Sequence, residues 1–487
     1  MIRSLNPRTG EAFGPEFSAS TQEEIESIIV ASAKAFPMWS AIPPHKRAIA
    51  LRAVADALDA NSEALVELAD QETGLGKARL VGEVGRTTFQ IRTFAQALES
   101  GNFVAPQVDA AVEAPLPSGH PRFVRTTVGI GPVVVFGASN FPFAFSVLGG
   151  DTASALAAGC SVVIKAHSAH PQTSQRVFDI ALDALVSSGA PAGIIGLGHG
   201  HEFGKVVISD PRINAGAFTG SKSGGRALFD MAQARINPIP FYGELGSINP
   251  VVVTASALLD PSAFAGAYLD SLLLGNGQFC TNPSILFVPL NEEFLKALEQ
   301  NLAGRDAQPF LSPATKDLHD RNRELLLSST RGNVINGKGA PEKGLYTNAQ
   351  VHIFSASEIS SLEPLHREYF GPTGIVITYE DSKSALEIIN QLEGALVASI
   401  FANESDETVK VFLASLARIA GRISWNAWPT GVAVTSGQHH GGPYPATTSP
   451  LHTSVGVHAI TRFLRPITFQ GFTDELVSSL SVESGSN

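Results

Sequence analysis

Apolar and polar residues alternate along this 487-residue chain in two rhythms. Between residues 21 and 101, in TQEEIESIIVASAKAFPMWS and on to FAQALESG, apolar side chains recur at helical spacing among charges, which predicts a block of amphipathic helices. Thr21 stands three positions before Glu24 and fits a capping box. At RFVRTTVGIGPVVVFGAS the pattern turns to strand chemistry. After it CSVVIKA, TSQRVFDIALDALVSSG, AGIIGLG, EFGKVVISD, AGAFTGS, GGRALFDMAQAR and PIPFYGELG succeed one another as β-rich runs and helical stretches. That repetition predicts right-handed crossovers and a parallel sheet. A second alternating region runs from about Asn249 to about Ser436, with SILFVPL, GIVITYE and VASIFA as candidate strands. The tail SVGVHAITRFLRPITFQGF is again β-like and suits pairing with another strand. There is no internal repeat, and only the Ser-rich last dozen residues are of low complexity.

Length alone predicts two or three domains. With 44% apolar residues, 45 glycines and 30 prolines, the composition fits an α/β enzyme rich in tight connections. A net charge of -11 speaks against a general nucleic-acid surface, while leaving room for a local basic pocket. The longest uncharged stretch, Thr126 to Gly150, is broken by Pro132, Asn140 and Pro142 and reads as buried strand and loop, so no membrane span is expected. The opening MIRSLNPRTGEAFG has no apolar signal segment. Two cysteines 120 positions apart provide no disulfide framework and fit a reducing compartment, the cytoplasm.

Those two cysteines differ in setting. Cys160 lies in ALAAGCSVVIK, where small residues lead into a β-branched run, and reads as a packed thiol. Cys280 lies in LLLGNGQFCTNPSIL among polar, turn-forming neighbours, and is either a packed thiol near a loop or a reactive one. AGAFTGSKSGGRALF sets a Gly220-x-x-x-x-Gly225 turn between a strand and a helix, either an ordinary turn or a phosphate cradle at a helix N-terminus. In FYGELGSINP, Glu244 ends an apolar strand between glycines and is either a solvated loop acid or a cleft acid raised toward a useful base. In GASNFPFAF, Asn140 either caps its own turn or donates to a developing oxyanion.

Taken in order, SNFPF, VVIKAHSAHP, FTGSKSGG, GELGS, GQFCTN and EYFGP make the chain resemble the aldehyde dehydrogenase superfamily over nearly its whole length. The resemblance implies a Rossmann-like cofactor domain (1–110 and 128–247), an α/β catalytic domain (248–440) and a small β oligomerisation arm (111–127 and 452–475). It further implies Cys280 as nucleophile, Glu244 as general base and Asn140 as oxyanion donor. Lys165, Ser168, Gly220, Ser221, Gly225, Glu368 and Phe370 become cofactor residues, Gly275 and Gly277 let backbone and cofactor approach the thiol, and no metal is expected. Many NAD-preferring members carry a glutamate three positions after the strand-end lysine. Here that position is Ser168, which tilts the cofactor to NADP with NAD possible. GELGSINP, GQFCTNPS and WPTGVAVTSGQHHGGPYPATTS most resemble bacterial 2-oxoglutarate semialdehyde dehydrogenases and their relatives acting on fatty aldehydes.

A semialdehyde carboxylate needs an anchor, for which Arg86, Arg92, Ser436, Gln438 and His439 are candidates. Phe141, Phe145 and Phe279 would line the inner tunnel and suit an aliphatic aldehyde equally. A homodimer or homotetramer is implied by the arm. A CoA-acylating enzyme is a rival reading that Glu244 disfavours, and a non-catalytic protein of the same fold is a second.

Overall fold

The N-terminal residues form a hairpin of β1 (Ile2–Asn6) and β2 (Glu11–Phe17), followed by helices α1 (Gln22–Ser40), α2 (Pro44–Ala60), α3 (Ser62–Thr73) and α4 (Lys77–Ser100). This computed structural model describes residues 1–101, 105–329, 333–359, 361–473 and 475–477, and the Ser-rich terminal stretch falls almost wholly outside them. The capping box forms as its spacing predicts: the Glu24 backbone N–H donates to Thr21, and the Thr21 N–H donates to the Glu24 carboxylate at 2.8 Å.

Strands and helices then alternate: β3 (Gln107–Asp109), β4 (Phe123–Gly129), β5 (Val133–Phe136), α5 (Gly150–Ala157), β6 (Val162–Lys165), α6 (Pro171–Ser187), β7 (Ile195–Gly198), α7 (His201–Ser209), β8 (Ala215–Thr219), α8 (Lys222–Gln233) and β9 (Phe241–Glu244). Five of these strands form a parallel sheet in the order β7-β6-β5-β8-β9. Its residues alternate faces with a period of two. Val133, Val135, Val162 and Ile164 join a core with α2, α4 and α5, while Val134, Phe136 and Val163 join one with α1 and α7. Both faces are covered, which explains strands apolar at nearly every position. Cys160 is fully buried in the first core, as its apolar setting predicts.

The remaining chain gives β10 (Pro250–Val253), α9 (Pro261–Leu272), β11 (Ile285–Pro289), α10 (Glu292–Ala303), α11 (Pro313–Ser329), β12 (Asn333–Asn336), β13 (Gln350–Ser355), β14 (Thr373–Tyr379), α12 (Ser382–Ile389), β15 (Ala395–Phe401), α13 (Thr408–Ile419), β16 (Ala420–Trp425) and β17 (Leu464–Gln470). Among the described residues seven of them form a sheet in the order β12-β13-β14-β11-β10-β15-β16, parallel except for β12. Periodicity finds β11, β14 and β15, which are buried on both faces. It passes over β12 and β16, whose half-exposed residues carry no apolar run.

A third sheet, β17-β4-β3, is antiparallel. It takes in Gln107–Asp109 and begins its last strand at Leu464, against the expected spans of 111–127 and 452–475. The residues before Leu464 wind instead into a 3-10 turn, Val457–Phe463, because Ala459, Ile460 and Phe463 are buried against the helical core.

Candidate active site

Strand order places the site. In the five-stranded sheet the connection reverses direction between β5 and β8, and such switch points open a crevice at the carboxyl ends of the strands. Ala138, Ser139 and Asn140 follow β5 there, and Thr219 ends β8, with Gly220 and Ser221 after it. Together with Ser168, Glu244, Cys280, Glu368 and Phe370 they line one cleft of about 1180 Å³ that is open to solvent. The cleft thus gathers most of the residues marked by sequence, although they are spread over 230 positions.

Cys280 lies at its wall, partly exposed, with its sulfur 3.9 Å from His440 Nε2. The same nitrogen lies 3.0 Å from Glu244 Oε1, and Ser454 Oγ donates to Glu244 Oε2 at 3.0 Å. Glu244 is 5% exposed and His440 2%. Glu244 is therefore a cleft acid, but its acidity moves opposite to the raised value that burial alone predicts. Burial pushes the carboxyl up, and the charge of His440 with hydrogen bonds from His440, Ser454 and Cys280 outweighs it, holding Glu244 below its ordinary value. Burial and the neighbouring Glu244 charge push the Cys280 thiol well up, so the resting group is a thiol.

His440 and Ser454 were not legible in the sequence. They reach the site because residues 446–448 pair with the end of β9: Leu245 N–H donates to Ala446 O at 2.8 Å and Thr448 N–H to Gly243 O at 2.9 Å. Neighbouring His439, which sequence singled out, does not line the cleft, nor do Ser436 and Gln438.

Buried polar groups fix the surroundings. On α4, Glu83 accepts from the backbone N–H groups of Phe143 and Ala144 at 2.8 and 3.0 Å, and Arg79 donates to Asn140 O at 2.5 Å. This locks the SNFPF turn, and Asn140, 5% exposed, uses one amide hydrogen on Gln278 O at 2.9 Å. The SINP departure from the common motif also has a structural use. Asn249 donates to Cys280 O and Asn282 O at 2.8 and 3.0 Å, while Ser247 donates to Asn249 Oδ1 and accepts from Leu396 N–H. One buried amide thereby ties the cysteine loop to β15.

Gly277 has φ +71°, and a Cβ on it would lie 2.1 Å from Gly371 O. The glycine lets the cysteine loop pack against the segment carrying Glu368 and Phe370, a contact between two protein loops where approach of a cofactor was expected. Gly225 has a packing role of the same kind. It lies outside the cleft lining, and a Cβ there would meet Leu245 at 2.1 Å, so it seats α8 close to the end of β9. Ser221 caps α8 by accepting from Gly224 N–H. Phe141 and Phe145 line the cleft, and Phe279 packs behind them, its ring centroid 5.4 Å from that of Phe141.

The residues present suit a dinucleotide. The Thr219–Ser221 turn opens a helix of twelve residues toward the cleft, with the anion preference of any helix N-terminus. Lys165 ends β6 just outside the lining. Burial lowers it, and among the described residues no carboxylate pairs with it. Glu368 accepts from Ser247 N–H at 3.2 Å, and burial, with Glu244 adding, raises it to about 7.

Comparison with known proteins gives the same reading over the whole chain. Residues 1–466 match the aldehyde dehydrogenase family. Alpha-ketoglutaric semialdehyde dehydrogenase 2 of Azospirillum brasilense is 40% identical over 98% of this chain and 92% of its own, and alpha-ketoglutaric semialdehyde dehydrogenase of Acinetobacter baylyi is 39% identical with the same coverage. Among solved structures, a variant of aldehyde dehydrogenase C from Pseudomonas syringae complexed with NAD+ and octanal superposes with a TM-score of 0.82 at 20% identity, covering 97% of this chain and 94% of that one. A cleft at the switch point of a parallel sheet, a cysteine beside a buried carboxylate, and family identity spanning nearly all the sequence converge: the chain belongs to the aldehyde dehydrogenase family.

Proposed function

We propose that this enzyme oxidises 2-oxoglutarate semialdehyde to 2-oxoglutarate, with NADP preferred over NAD. The observation that carries the chemistry is the contact chain Cys280–His440–Glu244 at the cleft wall. Glu244 takes the thiol proton. With its proton on Nε2, His440 faces both the carboxylate and the sulfur, so that N–H follows the negative charge from oxygen to sulfur as the thiolate forms. The thiolate adds to the aldehyde carbon. The second Asn140 amide hydrogen and the Cys280 backbone N–H stabilise the resulting oxyanion of the thiohemiacetal. Bound nicotinamide supplies the hydride acceptor, and Lys165, Ser168, Gly220, Ser221, Glu368 and Phe370 hold the dinucleotide. Glu244, once it has passed the thiol proton to solvent, deprotonates a water that attacks the thioester, and the expelled Cys280 thiolate takes that proton back as the acid leaves.

The substrate reading is supported by the two relatives of about 40% identity and by charge around the cysteine. Arg86 on α4 stacks 5.1 Å over Phe145 and its Nε reaches Val432 O at 3.5 Å, while Arg422 on β16 donates to Pro429 O and Gly431 O. Both are lowered by burial and both act electrostatically on Cys280; Glu83 and Glu244 also act on Arg86 from a distance, and among the described residues neither arginine forms a salt bridge. Two buried arginines near the thiol, neither held in a salt bridge, favour an anionic aldehyde. Arg92 is excluded as an anchor because it pairs on the outer face with Asp56 and Asp59. The cytoplasm suits a free thiol nucleophile, and the β17-β4-β3 arm suits assembly into a homodimer or homotetramer.

A panel of charged and neutral aldehydes with NAD or NADP, followed by reduced-cofactor absorbance, tests this. Cys280→Ala is expected to lose oxidation and keep NADP binding. Glu244→Gln is expected to retain a first-turnover burst and lose steady turnover. Steady turnover by Cys280→Ala, or preference for neutral over carboxylate aldehydes, would overturn the corresponding part.

A further inference from the structure

The same three side chains that face the substrate constitute a second chemical object. One ligand atom from each of Glu244, Cys280 and His440 lies within 4.8 Å of the other two, and no other such group occurs among the described residues. Their chemistry is mixed: one sulfur, one imidazole nitrogen and one carboxylate oxygen. That set selects zinc and similar borderline cations over magnesium or calcium, which need oxygen ligands. We propose that Glu244, Cys280 and His440 bind Zn2+ as a three-ligand site that reversibly blocks the enzyme.

The geometry is close to what the ion requires. Zinc bonds of about 2.3 Å to sulfur and about 2.0 to 2.2 Å to nitrogen and oxygen, set tetrahedrally, place ligand atoms roughly 3.3 to 3.7 Å apart. The two measured edges, 3.0 Å from His440 Nε2 to Glu244 Oε1 and 3.9 Å from Nε2 to the Cys280 sulfur, bracket that range. The third edge, from Glu244 to the Cys280 sulfur, is within 4.8 Å, so side-chain adjustments of up to about an ångström close the site. Surrounding bonds already orient the ligands. Ser454 holds Glu244 Oε2, which leaves Oε1 to the metal, and Thr453 Oγ1 accepts from the His440 backbone N–H at 2.9 Å. Glu244 and His440 are buried while Cys280 lines the cleft, so the fourth position opens toward the cleft. Three protein ligands and one open place is the pattern of an accessible zinc site rather than a closed structural one.

Binding is a proton exchange with no change of oxidation state. The Cys280 S–H bond breaks and an S–Zn bond forms, the thiol proton passes to solvent, His440 Nε2 gives up its proton, to solvent from the charged ring or to Nδ1 from the neutral one, so that it can coordinate, and Glu244 exchanges its bond from His440 for one to the metal. Every atom so engaged is one the oxidation needs. The cation therefore competes with aldehyde, and while bound it shields the sulfur from oxidants.

The test uses the full-length enzyme, metal-free and without substrate, titrated with Zn2+ against a chromophoric chelator, with Co2+ as a spectroscopic probe and Mg2+ as control. One Zn2+ per chain is expected, with a thiolate-to-cobalt charge-transfer band in the near ultraviolet and no Mg2+ binding. Cys280→Ser should abolish the band, and Glu244→Gln and His440→Asn should each weaken Zn2+ by at least about tenfold. His440→Cys, which restores a soft ligand, should recover binding and so separate loss of a ligand from damage to the fold. Inhibition of the wild-type enzyme should be competitive with aldehyde and reversed by chelator. Equal affinity in His440→Asn and wild type would show capture by the lone thiol and overturn the site, as would a cobalt band that survives Cys280→Ser. Because binding is read directly, these outcomes do not depend on which aldehyde the enzyme oxidises.

Discussion

At the scale of single residues, the cleft is governed by which charges lack partners. Ser168 is exposed at the cleft, three positions from Lys165, which has no carboxylate paired with it among the described residues. Ser168→Glu is expected to weaken NADP by about 1 to 2 kcal/mol, as one unfavourable charge contact in a wet site costs, and to leave NAD unchanged or improved. The ratio of the two specificity constants measures this, and equal loss for both cofactors would make Ser168 a packing position. Glu368 is the opposite case, a partly buried acid with no cation paired to it among the described residues. Its value of about 7, against an ordinary 4.5, means that the folded protein holds this proton more tightly than the unfolded chain. Its stabilising contribution is complete below pH 4.5 and is lost as pH rises to 7, a loss of about 3 kcal/mol. Glu368→Gln should therefore melt higher than wild type at pH 8, while the two converge toward pH 4.5. Scanning calorimetry at both values decides it.

What sequence shows and hides at this scale has a plain physical basis. Cys280, Glu244 and Asn140 stand out because turn-forming residues flank them. His440 escapes because its partner lies 196 positions earlier, and because nothing in the dipeptide His439-His440 tells which ring turns inward. Arg79, Glu83 and Arg86, by contrast, recur at spacings of four and three, one face of a helix, whereas Arg92 lies round the other side with Asp56 and Asp59.

At the scale of elements, the site depends on loops that touch through backbone. Gly277 makes one of the tightest of these contacts. Gly277→Ala adds a Cβ at φ +71° and pushes it into Gly371 O, so the cysteine loop and the Glu368–Gly371 segment must separate. The backbone strain alone is worth about 1 to 3 kcal/mol. Urea denaturation should show at least that loss, and the surviving folded enzyme should show a lower kcat. An unchanged kcat would mean that the two loops are not coupled in turnover. Elements buried on both faces, such as β5, β11 and β14, were legible because nearly every residue in them is apolar. The short polar strand β3 was not, because its pairing with β4 is chosen by tertiary position.

At the scale of the whole molecule, the three-stranded arm leaves β17 and β3 as edges, with Val108 and Phe472 exposed nearby. Such edges ask for cover. A chain ending at Phe463 is expected to run as a monomer in light scattering where the full chain runs as a homodimer or homotetramer, and an unchanged mass would place the subunit contact elsewhere. The pairing of residues 446–448 with the end of β9 reaches further than geometry. During synthesis the thiol leaves the ribosome 160 residues before the imidazole that faces it, and Ser454 comes later still. On the proposed mechanism a nascent or prematurely ended chain has Cys280 without His440 and Ser454, so turnover is expected only from chains that extend past Ser454.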